Sequence, residues 1–353
     1  MHVFLPLKAL PVGRMQLQDV SSLQSRNPLP LMINAEHSSL DEFIRPFKKI
    51  KIEDKSESIA RTGVSNEGFL IAVADGNAEI VQSLLQSGKV DPTWENNYAL
   101  KFVSKNGNTA ILRELLKAPN VNPAVDDNFA IREAVLNGHY KSVALLLRDA
   151  RVDPSAKNHQ AFLAAVHLGH SNIVRLLMKH PKVDPSVSNN LALVEAIING
   201  RSDIVKMLLK DKRVNPAAAQ NLPLLAAIER GDISILRILL SDPRVDPSDR
   251  SNLAMVLACR EGNSDIVKLL MKDTRVNPAA ENNSALVLAA ENDHADIIQL
   301  LLEDPRVNPT AVKHAKTREI KTILTNAINE RREVNDFLDA VELLKSGDRL
   351  VNK

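Results

Sequence analysis

Nine histidines and one cysteine are the side chains best suited to act as bases, nucleophiles or metal ligands in this chain of 353 residues. They are spread singly. No His-Glu-x-x-His pair holds a metal, no glycine-rich loop cradles phosphate, and no serine stands on a nucleophile elbow. The expectation is therefore no enzyme, no cofactor and no metal site. Cys259 follows Ala258 in an apolar run, where a thiol is a small buried hydrophobe rather than a nucleophile. A lone cysteine allows no internal disulfide, which fits a reducing compartment, cytoplasmic or nuclear.

Binding chemistry has better candidates. The chain has one Trp, two Tyr and an aromatic share of 3%, so the gathering of Trp94, Tyr98, Phe102 and Phe129 stands out. With Lys105 and Arg132 they would make an aromatic and basic patch of the residue types enriched in interface hot spots. The competing reading buries Phe102 and Phe129 in a core and packs Trp94 on a turn. A second set is a periodic basic stripe, Lys89, Arg151, Lys182, Arg213, Arg244, Arg275 and Arg306. Such a stripe can read an acidic partner or a phosphate backbone. However, Asp149, Asp211, Asp242, Asp273 and Asp304 each stand two residues earlier, and a net charge of +2 is small. Local pairing favours a structural role over nucleic-acid binding.

The elements that position these residues are set by a repeat. An Asp-Pro or Asn-Pro pair recurs every 31 residues, at Pro92, Pro123, Pro154, Pro185, Pro216, Pro247, Pro278 and Pro309. Strict periods of this length mark solenoids, whose units bury their apolar faces only by stacking. Asp or Asn before proline favours a tight turn. Asn follows at 66, 97, 128, 190, 221, 252 and 283, with His159 the exception, and reads as a helix cap. Glycine ends the first helix at 76, 107, 138, 169, 200, 231 and 262, with Asp293 in the eighth copy. Ala72, Ala134, Ala165, Ala196, Ala227, Ala258 and Ala289 precede those turns and let helices approach. In the second helix, Ile204, Val205, Leu208 and Leu209 make one apolar face, repeated by Ile173, Val174, Leu177 and Met178.

Helix, glycine turn and helix, with Gly138-His139, Gly169-His170, Ala164-Ala165 and Ile173-Val174-Arg175-Leu176-Leu177, resemble the ankyrin repeat. The likeness spans about residues 66–312. It departs from the family in its 31-residue length and in lacking the Thr-Pro-Leu-His tetrapeptide. The resemblance implies a mostly α, helix-turn-helix solenoid of about eight pairs with short inter-repeat turns. It also implies turn-stabilising roles for His139, His170 and His294, and a partner protein bound on the concave surface of first helices and turns. A substrate adaptor for a ubiquitin ligase or other enzyme, recruited through residues 1–60, is the alternative.

Three segments are expected. Residues 1–60 form a poorly ordered tail with a short helix at 39–45, then Lys48-Lys49-Ile50-Lys51-Ile52-Glu53-Asp54-Lys55, a solvated linker in which Lys51 is a modification candidate. Residues 61–312 hold the repeats. Residues 313–353 hold a shortened repeat and a capping helix, Glu333–Lys345, with Val334, Phe337, Leu338, Val341 and Leu344 inward and Gly347 as its stop. No apolar run approaches the ~20 residues of a membrane span. The expected form is a monomer.

Overall fold

The computed structural model describes residues 64–351, with side chains through residue 338. The helix at 39–45, the lysine-rich run and Lys51 lie outside the described residues. Those residues form seventeen α-helices and one 3-10 helix, and among them there is no strand. The mostly α, helix-turn-helix architecture is thus the expected one. The chain divides into two compact units, up to Val183 and from Asp184.

In the first unit, the first helices are α1 (Asn66–Ala74), α3 (Trp94–Asn106), α5 (Val125–Leu136) and α7 (Ala156–Leu168). The second helices are α2 (Ala78–Gln86), α4 (Thr109–Lys117), α6 (Tyr140–Leu146) and α8 (Ser171–Met178). The second unit continues with α9 (Val187–Ile198), α11 (Ala218–Arg230), α13 (Asp249–Arg260) and α15 (Ala280–Glu291) as first helices. Its second helices are α10 (Ser202–Leu209), α12 (Ile233–Leu240), α14 (Ser264–Met271) and α16 (Ala295–Leu302). Within each unit, first helices pack on first helices and second on second.

The core is aliphatic, as a chain so poor in aromatics requires. Ile204, Val205 and Leu208 are fully buried, as are Ile266, Val267 and Leu270. Leu209, Met178 and Met271 are only half-buried, so the apolar face is narrower than four residues. The alanines before the turn are buried, and Ala134, Ala165 and Ala227 have no exposed surface. The turn glycines all take positive φ, from 66° to 80°, and Asp293 does the same at 60°. At Gly107 and Gly262 a side chain would also strike a neighbour, since an added Cβ would lie 2.5 Å from the His139 or the His294 ring.

The expected Asn caps are not caps. The residue after the turn glycine does that work: Asn77, Asn108, Asp232 and Asn263 accept from the N–H of Ile80, Ile111, Ile235 and Ile266 at 3.0–3.2 Å. Where this residue is His139 or His294, its Nε2 instead bonds the carbonyl of Lys105 or Arg260 in the preceding repeat, at 2.8 and 3.1 Å.

The C-terminal end also differs from expectation. A 3-10 helix, Thr310–His314, leads into one continuous helix, α17 (Arg318–Val351). Ile320 and Leu324 are buried, but Val334, Phe337 and Leu338 are 57%, 68% and 55% exposed. The predicted inward face therefore points to solvent there, and Gly347 does not end the helix. Arg331 docks this helix. Its Nη1 donates to Val307 O, and its Nη2 donates to Leu302 O and Asp304 O at 3.3 Å.

Candidate functional site

Each repeat junction is built from one short sequence, and its chemistry starts at the Asp or Asn before proline. Asp153 Oδ1 accepts from the Ser155 N–H at 3.0 Å and the Ser155 hydroxyl at 2.6 Å. Asp91 with Thr93, Asp184 with Ser186 and Asp246 with Ser248 do the same. Where Asn stands first, Ala stands two residues on, and only a backbone N–H donates to the Asn Oδ1: Ala124 to Asn122, Ala217 to Asn215, Ala279 to Asn277. A carboxylate is used where two donors meet it, and an amide where one does. Asn308, with Thr310, departs from this rule. The serine hydroxyl holds the Asp153 and Asp246 carboxyls below the ordinary aspartate range.

Three residues after the proline the backbone turns left-handed for three residues. Asp126, Asp127 and Asn128 have φ of 49°, 55° and 61°, and the same triplet recurs at 95–97, 157–159, 188–190, 219–221, 250–252 and 281–283. The third N–H closes the turn on the carbonyl four residues back, as from Asn252 to Ser248 at 3.0 Å. A left-handed α conformation costs an L-residue about 1–2 kcal/mol, and Asn tolerates it best, which explains the recurring third residue. The right-handed helix begins after it. Pro223, two residues beyond Asn221, therefore falls in a first turn where its missing N–H costs nothing.

That third Asn ties repeats together. Asn128 Oδ1 accepts from the Asp153 N–H of the next junction at 2.6 Å. Asn190 to Asn215, Asn252 to Asn277 and Asn283 to Asn308 repeat the bond at 2.7–2.8 Å, and Asn66 makes it to Asp91. Asn221 is turned, its Nδ2 donating to Asp246 O and Asp249 Oδ2.

The basic stripe is a second tie. Arg244 donates from Nε and Nη2 to both oxygens of Asp242, at 2.9 and 2.6 Å, and from Nη1 to Val214 O of the preceding repeat at 2.7 Å. Arg151 and Arg275 reach Val121 O and Val245 O in the same way. The guanidinium partner holds Asp149, Asp211, Asp242, Asp273 and Asp304 below the usual carboxylate range. On α17, Arg331 takes over this role for Val307 O.

The six residues expected to form a binding patch are divided by burial. Tyr98, Phe129 and Arg132 are 7%, 8% and 3% exposed, so these three are core residues. Tyr98 stacks on Phe102 with ring centroids 5.8 Å apart. Lys101 Nζ lies 5.5 Å and Arg132 Cζ 5.7 Å from the Phe129 ring centroid. Arg132 donates from Nη1 to Gln160 Oε1 at 2.9 Å, and from Nε and Nη2 to the carbonyls of Asp127 and Asp126. Lys101 pairs with the Asp126 carboxylate. Lys105, Phe102 and Trp94 are half-buried, and Trp94 stands just before the left-handed triplet.

What does reach solvent is the front of each triplet. The first two residues, Glu95-Asn96, Asp126-Asp127, Lys157-Asn158, Ser188-Asn189, Ala219-Gln220, Arg250-Ser251 and Glu281-Asn282, are exposed in every copy except for half-buried Arg250. They vary in charge while their backbone does not.

A family model described as ankyrin repeats (3 copies) matches residues 69–158, 150–218, 224–313 and 257–348. The chain belongs to the ankyrin-repeat family. Repeats of this family are generally protein-interaction modules and typically non-enzymatic. No curated protein sequence matches this ankyrin-repeat chain. Among the described residues, no helix is long and apolar enough to cross a membrane, and no group of three His, Cys, Asp or Glu is placed to hold a metal. Burial pushes the Cys259 thiol up to about 12, which suits a core residue rather than a nucleophile.

Proposed function

We propose that this protein is a non-catalytic scaffold that holds a partner protein on the exposed tips of its left-handed turns. The observation that carries this reading is the pairing of a fixed backbone with variable side chains. Glycine would relieve the strain at either tip position, yet no tip in the seven copies carries one. Strain retained where a simpler residue would remove it marks functional positions. Half-buried Trp94 directly precedes the Glu95-Asn96 tip and adds an aromatic border to it. The arginine stripe supports a protein partner over a nucleic acid, because its guanidiniums are already bidentate to aspartate.

The test is affinity capture from lysate with the full chain against two tip variants, Glu95→Ala/Asn96→Ala and Asp126→Ala/Asp127→Ala. Selective loss of captured proteins with an unchanged circular dichroism spectrum is expected. Identical capture by parent and both variants would remove the tips from the site. Strong DNA binding by the parent at ~0.2 M salt would replace the reading altogether.

A further inference from the structure

Near-identical repeats carry a hazard: a shifted copy meets almost the same surface as the correct one. Where they form, the Asn tie and the arginine tie use the same side chain and the same backbone group in each repeat, so they distinguish a right neighbour from a wrong one only weakly. The aliphatic layer is also interchangeable. The place held by Arg132 is held by Val194, Leu225 and Val256 further on, and that of Gln160 by Leu191, Leu222 and Leu253.

One buried layer differs. Lys101 of the second repeat reaches Asp126 and the Phe129 ring of the third; Arg132 of the third then donates to Gln160 of the fourth. Arg132 and Gln160 are 3% and 9% exposed. A shifted copy would set the buried guanidinium against leucine and leave it short of an acceptor, which is a costly outcome for a charge out of water. We propose that this polar layer is a register device: it makes repeats two, three and four recognise one another in order and disfavours out-of-register stacks during folding. Buried polar groups that fix register at no gain in stability have this role in coiled coils.

The test compares refolding of the full chain with that of Arg132→Leu/Gln160→Leu, which copies the aliphatic layer. Urea midpoint, refolding kinetics by circular dichroism, and size-exclusion profile are read together. The double variant should keep an equal or higher midpoint, yet gain a slow refolding phase and an oligomeric fraction. Transplanting the pair by adding Leu225→Arg/Leu253→Gln should remove both. Gln160→Leu alone, which spares the carbonyl bonds of Arg132, should show the same defect if the double variant fails to fold. Refolding as clean as the parent's, or a defect that transplantation leaves untouched, would overturn the proposal.

Discussion

The two units solve one packing problem with different residues. From repeat five onward one set of places on the first helices holds Leu191, Val194, Leu222, Leu225 and Leu253, all aliphatic. In the first unit the corresponding places hold Tyr98, Lys101, Phe129, Arg132 and Gln160, joined by named bonds. Aliphatic burial contributes stability at roughly 25 cal/mol per Å² without direction. Buried polar bonds contribute little net stability but penalise every wrong partner. The first unit therefore trades stability for specificity, and the second does the reverse. Around both, the junction of proline and left-handed triplet is held constant, and the Asn tie recurs in each unit.

The largest effect should come from the aliphatic unit. Leu208→Ala removes a fully buried side chain and should cost about 2–5 kcal/mol in a urea melt. Its counterpart in the polar layer, Arg132→Leu/Gln160→Leu, which replaces both partners of the buried bond, should cost far less or nothing. Equal losses would erase the distinction between the units. Next come the ties shared by both: Asn128→Ala and Asn252→Ala each strand an N–H of the following junction and should cost about 1–3 kcal/mol, similarly in either unit. A loss confined to one unit would mean the junctions are not equivalent.

Smaller is the acid response. Asp153 in the first unit and Asp246 in the second have depressed pKa values, caused chiefly by the hydroxyls of Ser155 and Ser248. A carboxyl depressed in the folded state stabilises it above the ordinary aspartate pKa of about 3.9 and stops doing so as pH falls through the folded value. Melting temperature should thus be level at neutral pH and fall below about pH 4. Ser155→Ala/Ser248→Ala should lower stability at pH 7 and flatten that acid limb, which a melt series across pH would read.

Much of this architecture was legible in the sequence because its physics is local and repeated. Proline spacing gave the unit, turn glycines gave the helix ends, and apolar spacing gave the buried Ile204, Val205 and Leu208. The Asn residues were visible but misread. Asn suits a helix cap and a left-handed turn equally, and only the path of the chain shows that Asn128 faces the next repeat. The rule that pairs Asp with Ser or Thr and Asn with Ala was present in seven of the eight copies, unread until the shared hydrogen bonds explained it. Arg331 could not be found by period, since it lies outside the ladder and reaches its carbonyls from another helix. The aromatic and basic cluster was visible as a departure from the repeat. Its composition could not say that Arg132 points inward, because a guanidinium serves a buried carbonyl as well as a solvent-facing surface.

The left-handed triplet supports both the scaffold and its proposed reading surface, and Ala219 tests it most cleanly. Its methyl makes no hydrogen bond, and its φ is 49°. In a right-handed helix, Ala→Gly costs about 0.5–1 kcal/mol. At positive φ the sign reverses, because glycine pays no left-handed penalty of ~1 kcal/mol. Ala219→Gly should therefore leave stability unchanged or raise it by up to about 1 kcal/mol in equilibrium urea unfolding. A loss of about 1 kcal/mol would contradict the left-handed turn and the account built on it.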